Sequence, residues 1–419
     1  MRIILSGGGT AGHINPALAL AEELTNRGHE VVFAGTPDGI ESRLVPEAGY
    51  PYKGFEAEGF DRAKITSLIK STRKIMRSTA EVTKWLMQVR PYGVVAFGGY
   101  VCLPVARAAK ASNVPVIVHE QNSVMGMANK YLSNQVQAVA LTYPEAGADM
   151  KCQDAITITG NPVRSDFFKA TREEGRALLG IPDDAIMVLV FGGSLGARHL
   201  NEAVVALKDE ILDLPNVYIV HITGPKEYDS VVEALNLTEE EAKRWIVMGY
   251  QNKMAETMAA ADAVVSRAGA TSLAEISARR VPALLVPYPH ATADHQTRNA
   301  QAYVDRGAAY MVDDDMLDTN EFKLRFFSLI VEPEVRERMR EAAATFETEN
   351  AAAKLADLVI DIIKETSLEI TDEELYPLKY AALEEEDVLG DEPAALEASD
   401  QTSKEEPKET TSRQEEPRA

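Results

Sequence analysis

Short apolar blocks recur along the first three quarters of the chain, and most end in a glycine or polar turn. Ile3-Ile4-Leu5 runs into Ser6-Gly7-Gly8-Gly9-Thr10-Ala11-Gly12-His13, and Ala17 to Leu24 then has helical spacing. Pro16 falls where a first helical turn tolerates it. Val31-Val32-Phe33-Ala34, Val94 to Phe97, Val116-Ile117-Val118, Val139 to Thr142 and Ile156 to Thr159 read as further strands. Gly160-Asn161-Pro162-Val163-Arg164 turns the chain and suits an interdomain hinge. The pattern then restarts. Met187 to Phe191 is a strand, Gly192-Gly193-Ser194-Leu195-Gly196-Ala197-Arg198 a glycine turn, and Leu200 to Leu207 a helix. Val217 to His221, Trp245 to Tyr250, Ala263 to Ser266, Ala283 to Val286 and Ala308 to Val312 continue the series. Leu329 to Ile363 reads as mostly helical. Strands alternating with helices in two units, each opened by a glycine turn, predict two Rossmann-like domains facing a cleft.

The polar residues gather at strand ends, where open α/β sheets bind ligands. Arg267-Ala268-Gly269-Ala270-Thr271-Ser272 leads into a helix carrying Glu275, a carboxylate placed for the vicinal hydroxyls of a ribose. The next strand ends in Pro287-Tyr288-Pro289-His290, followed by Asp294, His295, Gln296 and Asn299. His119-Glu120-Gln121-Asn122 follows another strand and reads as a site rather than a core. His13, at a helix start, suits contact with a pyrophosphate or the role of a base. Gly7, Gly9 and Gly12 match GxGxxG, which keeps a nicotinamide-dependent oxidoreductase open. Against it, no acid closes the next strand, and Asp38 comes late. A noncatalytic sugar-nucleotide-binding subunit is the other alternative. Asp313-Asp314-Asp315 has the letters of a metal-binding DxD but reads as a solvated strand-end loop.

Charge changes the picture in two places. Of the formal −22, the segment 365–419 holds 18 acidic and 5 basic residues, a net of −13, which leaves −9 for residues 1–364. That segment is acidic and punctuated by proline, and is expected to be disordered. Arg62 to Arg90 is the opposite: Arg62, Lys64, Lys70, Arg73, Lys74, Arg77, Lys84 and Arg90 stand against Glu81 alone, with Ile, Leu, Met and Trp interleaved. One or two amphipathic helices with a cationic side suited to an anionic lipid surface fit this pattern. Nucleic-acid binding does not fit so acidic a chain. Two cysteines, Cys102 and Cys152, make no framework and fit a reducing cytoplasm. No apolar run is long enough for a signal peptide or a membrane span.

Seven motifs in order carry a resemblance. Ser6 to Pro16, Phe97 to Tyr100, His119 to Asn122, Gly160 to Arg164, Gly192 to Arg198, Arg267 to Ala270 and Glu275 to Gln296 resemble the MurG family of peptidoglycan N-acetylglucosaminyltransferases, over about residues 1–364. The resemblance implies a GT-B fold whose last helix crosses back to the first domain. It implies domains at 1–164, completed by a helix at about 345–364, and at 165–344, with the acidic tail outside the pattern. It implies inverting transfer of GlcNAc from UDP-GlcNAc to the 4-hydroxyl of MurNAc in lipid I (undecaprenyl-pyrophosphoryl-MurNAc-pentapeptide), giving lipid II, with neither cofactor nor bound metal. It places Thr10, Ala11, Gly12, Asn122, Arg164 and Ser194 at donor-contacting positions. Ala270, Thr271, Ser272, Leu273, Ala274 and Glu275 fall at the nucleoside, Gln251 at uracil and Gln296 at the GlcNAc hydroxyls. His13 is the first candidate base and Glu120 the second. The implied location is peripheral, on the cytoplasmic face of the cell membrane, with an anionic surface and cell-wall synthesis or division proteins as partners.

Overall fold

In the computed structural model, residues 1–57, 65–193, 197–346 and 348–369 are described, with backbone only at 65–74 and 367–369. Seven strands form the first sheet: β1 Arg2–Ser6, β2 Glu30–Gly35, β3 Tyr52–Gly54, β4 Gly93–Ala96, β5 Val116–Glu120, β6 Ala138–Leu141 and β7 Ile156–Ile158. Six form the second: β8 Ile186–Phe191, β9 Val217–Ile222, β10 Trp245–Met248, β11 Ala263–Ser266, β12 Ala283–Leu285 and β13 Ala309–Met311. The strand orders are β3-β2-β1-β4-β5-β6-β7 and β10-β9-β8-β11-β12-β13, and every pairing is parallel. In each sheet the order of strand addition therefore reverses at the centre, between β1 and β4 and between β8 and β11. Such reversal points open a crevice at the carboxyl ends of the strands.

Period-2 alternation explains the layers. Ile3, Leu5, Val31, Phe33 and Val95 pack on the helix Ala11–Asn26. Ile4, Val32, Val94 and Val116 face the other way, against Trp85, Leu86 and Val105 of the helices Ile65–Val89 and Cys102–Ala111. The second sheet divides likewise. Val188, Val190, Val265 and Leu284 meet Leu200, Phe322 and Phe326, while Met187, Leu189 and Leu285 meet Met258, Leu273 and Tyr303.

The last helix, Ala351–Glu369, returns to the first sheet. Leu355, Ala356, Val359, Ile360 and Ile363 join the core around Ile3 and Leu5, and Arg27 Nη1 meets Asp357 Oδ1 at 2.6 Å. This helix starts later and runs five residues further than the expected 345–364. Its buried apolar positions end at Ile363, and a turn at Ala344 to Phe346 follows the helix Pro333–Ala343. Residues 370–419, which hold most of the acidic segment, lie outside the described residues. Truncation after Glu369 is expected to leave the melting temperature and turnover of a soluble acceptor unchanged. A large loss in either would show that the segment docks.

Candidate active site

The helices Ala11–Asn26 and Ala270–Ala278 start at the two reversal points, and their amino ends meet. Neither Thr10 nor Gly269 caps its helix with a side chain. Two helix starts with N–H donors and positive potential thus converge on one place. The contact between them has a sequence cause. Pro16 sits one turn deeper than expected, inside the helix, so Gly12 C=O lacks the N–H that residue 16 would normally offer. Thr271 Oγ1 supplies the missing donor from the other half, at 3.1 Å.

His13, half-buried in the first turn, is held by its own loop. Its Nδ1 lies 2.8 Å from Gly8 O and 3.3 Å from Thr10 Oγ1. A carbonyl only accepts, so Nδ1 carries the proton and Nε2 keeps its lone pair. A Cβ at Gly98 would stand 2.9 Å from that Nε2, so the ring packs directly against a glycine.

On the facing side, Glu275 is 8 % exposed. Burial pushes its carboxyl up to about 7; Arg164 and a hydrogen bond from Asn15 oppose the shift, and Asp166 adds to it. Arg164 Nη2 is also 3.4 Å from Asp166 Oδ2. Gln296 Oε1 accepts from Ala268 N at 3.1 Å and Tyr288 N at 3.0 Å, which turns its NH2 group outward as a donor. Of the stretch from Ala270 to Glu275, Thr271 and Ser272 are partly exposed. Ala270, Leu273 and Ala274 are buried, the last two in the core of the second sheet, so their side chains are unavailable to a ligand. Gln251 is engaged locally, its Oε1 accepting from Lys253 N at 2.9 Å and its Nε2 facing Met248 Sδ at 3.5 Å. Ser194 lies outside the described residues; Gly193, at φ +85°, leads into it.

The segment from His119 to Asn122 corrects its reading as an open site. β5 runs through Glu120, and His119, Glu120 and Gln121 are buried. Glu120 Oε1 accepts from Asn122 N at 3.0 Å and Asn122 Nδ2 at 3.2 Å; Oε2 accepts from Gly126 N and Asn129 Nδ2, both at 2.9 Å. A 1 % exposed carboxylate with four donors from its own loop shapes that loop and is not placed to take an acceptor's proton. His119 Nε2 is 3.0 Å from Gly160 O, and burial lowers its pKa to about 4, so a neutral imidazole ties β5 to the turn before Arg164. The Asp313 to Asp315 segment is also not simply solvated. Asp314 faces Arg267 Nη1 at 2.5 Å and His199 Nδ1 at 2.9 Å, and it joins the β11 turn to the helix Arg198–Val205.

The roles of two residues escaped sequence reasoning. Asn299, fully buried, accepts from Ser123 N at 2.8 Å and donates to Asn122 Oδ1 at 3.2 Å and Ala268 O at 3.3 Å. It clasps the two halves beside the site. Glu41 is the acid that seemed missing after β2. It stands six residues beyond that strand and is turned inward, with Oε2 accepting from Gly9 N at 3.1 Å and Oε1 from Thr36 N at 3.0 Å. A carboxylate against Gly9 N–H occupies the place a dinucleotide phosphate would need, which disfavours the nicotinamide alternative.

Comparison with known proteins agrees with this fold. The glycosyltransferase family 28 N-terminal domain matches residues 3–141, and the family 28 C-terminal domain matches residues 187–376. A UDP-N-acetylglucosamine--N-acetylmuramyl-(pentapeptide) pyrophosphoryl-undecaprenol N-acetylglucosamine transferase of Halothermothrix orenii is 37% identical over 369 residues, 87% of this chain and 100% of the relative. The chain belongs to the MurG family. A relative of the same name from Acetivibrio thermocellus is 36% identical over 367 residues, covering 87% of this chain and 99% of its own length. The solved structure of Acinetobacter baumannii MurG matches with a TM-score of 0.64 at 28% identity, over 86% of this chain and 99% of that one. A calicheamicin glycosyltransferase, at 17% identity and a TM-score of 0.62 over 87% of this chain and 99% of its own, shows the fold alone. The family 28 C-terminal domain match continues to residue 376, beyond the limit near 364 that the motifs suggest.

Proposed function

We propose that this chain transfers GlcNAc from UDP-GlcNAc to the 4-hydroxyl of the MurNAc unit of lipid I, forming lipid II and UDP with inversion at the anomeric carbon. One observation carries the reading beyond family membership: His13, held through Nδ1 by its own loop, stands at one of two converging helix starts, and Glu275 and Gln296 stand on the other half. The departing UDP phosphate gathers negative charge, for which helix-start N–H groups and Arg164 are suited. Thr10, Ala11 and Gly12 belong to the first of these starts, and Gly193 and Ser194, which follow β8 in the chain, are assigned to the diphosphate. Glu275 takes the ribose hydroxyls and Gln296 the GlcNAc hydroxyls, while Ala270 to Ala274 and Gln251 contribute through backbone. His13 Nε2 accepts the proton of the attacking hydroxyl. UDP release with a lipid I analogue tests the reading. No release under conditions where the chain is folded and binds UDP-GlcNAc would leave only the noncatalytic alternative.

The acceptor is a lipid, and among the described residues no helix is long and apolar enough to cross a membrane. We propose peripheral docking on the cytoplasmic face through the helix Ile65–Val89. Met76 is 63% exposed there, Arg77 and Lys84 are exposed, and Arg77 Nε reaches Glu81 Oε1, at 3.1 Å, along the surface. Arg62 and Lys64, and the side chains of Lys70, Arg73 and Lys74, lie outside the described residues. Each cation near an anionic leaflet contributes about 1 kcal/mol, so a few suffice for reversible binding. Replacing Lys70, Arg73, Lys74 and Arg77 by Glu is expected to cut sedimentation with anionic vesicles and turnover of a lipid acceptor while sparing UDP-GlcNAc affinity. Undiminished sedimentation would move the contact elsewhere. Partners among division or cell-wall proteins belong to the same proposal and are open to pull-down with the membrane-bound form.

A further inference from the structure

Glu41 has a fully buried carboxylate and no part in the chemistry so far. Its socket is built from glycines. A Cβ on Gly8 would lie 2.4 Å from its Oε1, one on Gly35 2.6 Å from its Cγ, and one on Gly39 2.3 Å from its Oε1. Thr36 Oγ1 donates to Oε1 at 2.6 Å in addition to the Thr36 N–H. The remaining oxygen, Oε2, takes the Gly9 N–H at 3.1 Å.

That N–H belongs to the peptide group joining Gly8 and Gly9. The carbonyl of the same peptide group, Gly8 O, accepts from His13 Nδ1 at 2.8 Å. One rigid plane is therefore gripped on its N–H side by a buried carboxylate and on its C=O side by the imidazole. Hydrogen bonds in such a chain polarise one another, and a carboxylate on the N–H makes the carbonyl a stronger acceptor. We propose that Glu41 is a positioning residue for His13, acting through the Gly8–Gly9 peptide. It holds His13 in the Nδ1–H tautomer, keeps Nε2 free for the acceptor's proton, and stabilises the imidazolium that forms. A triad aspartate does this by direct contact with its histidine. Here a peptide group stands between the two, and the glycines of the first turn serve an internal carboxylate. The proposal rests on His13 being the base.

Histidine-selective ¹⁵N spectra of the native protein, with His13 assigned through His13→Gln, read the tautomer directly. The Nδ1–H form is expected, and an Nε2–H form would overturn the relay. Glu41→Gln is then expected to weaken that preference and to lower kcat about 10- to 100-fold, the usual cost of losing an outer partner of a functional group. The UDP-GlcNAc KM should stay within about twofold, since no donor contact is lost. Because glutamine must turn its NH2 toward Gly9 N–H or Thr36 N–H, this variant can fail to fold, and the native spectrum then decides alone. A folded Glu41→Gln with native kcat and an unchanged tautomer would overturn the proposal. Full turnover by His13→Gln would instead overturn the assignment of the base, an outcome separate from the tautomer measurement.

Discussion

His13→Ala is expected to lower kcat by about 10²–10⁴-fold, the range for losing a positioned general base. The UDP-GlcNAc KM should change little, because the donor's ribose and sugar contacts are assigned to Glu275 and Gln296. The acceptor hydroxyl loses its proton only as the new glycosidic bond forms. An interaction made at that moment alone reduces kcat and kcat/KM together. The ring is partly exposed at the end of a helix first turn, so its removal opens no large core cavity. The variant should therefore melt close to the parent. Steady-state kinetics with a lipid I analogue, beside a melting curve, checks both halves. A kcat within threefold of the parent would pass the base role to another group.

Glu275→Ala is expected to weaken UDP-GlcNAc binding by about 1.5–3 kcal/mol, roughly 10- to 150-fold, as for a hydrogen bond to a charged group. The pH dependence gives a sharper signature. Burial raises the carboxyl from its ordinary value to about 7 in the free protein. Ribose hydroxyls donate, so they favour the ionised form, and donor binding near pH 6.5 should release a proton. Calorimetry in buffers of different ionisation enthalpy would show that release, and Glu275→Gln should abolish it. The same shift bears on stability. A buried carboxyl with a raised pKa is well tolerated while neutral, so its contribution is complete below the unfolded pKa and is lost as pH rises through about 7. Relative to Glu275→Gln, the parent should lose melting temperature between about pH 4.5 and pH 7. Donor affinity unchanged in Glu275→Ala would remove the residue from the nucleotide site.

Both effects depend on the two halves standing together, and the sequence speaks unevenly about that. Local pattern was sufficient for the strands. Apolar runs such as Ile3 to Leu5 and Met187 to Phe191, each followed by a glycine turn, specify a parallel sheet buried on both faces, because no other environment satisfies such runs. The places of His13 and Glu275 near helix starts and of Gln296 after a strand were legible, because a strand, a small-residue turn and a helix make a local pattern. The reading of His119 to Asn122 failed for a related reason. A polar run after a strand looks the same whether it meets solvent or its own loop, and only the fold delivers Gly126 and Asn129 to Glu120.

Other features were decided between residues far apart in the chain. Pro16 reads as a residue of the first helical turn, and only the structure shows it deeper, with Thr271 donating to the carbonyl it leaves at Gly12. Asp314 looks like a loop acid until Arg267 and His199 are brought to it. Asn299 becomes a clasp only because the 121–126 loop lies opposite. Glu41 reads as a surface acid at the start of the short helix Glu41–Glu47. The tertiary structure buries it among Gly8, Gly35 and Gly39 and hands its charge to the peptide that holds His13. Sequence by itself determined the elements and their order, since hydrophobic periodicity is a local property. The pairing of donors with acceptors across the cleft was decided by the tertiary structure alone, because hydrogen-bond geometry depends on positions that no local pattern encodes.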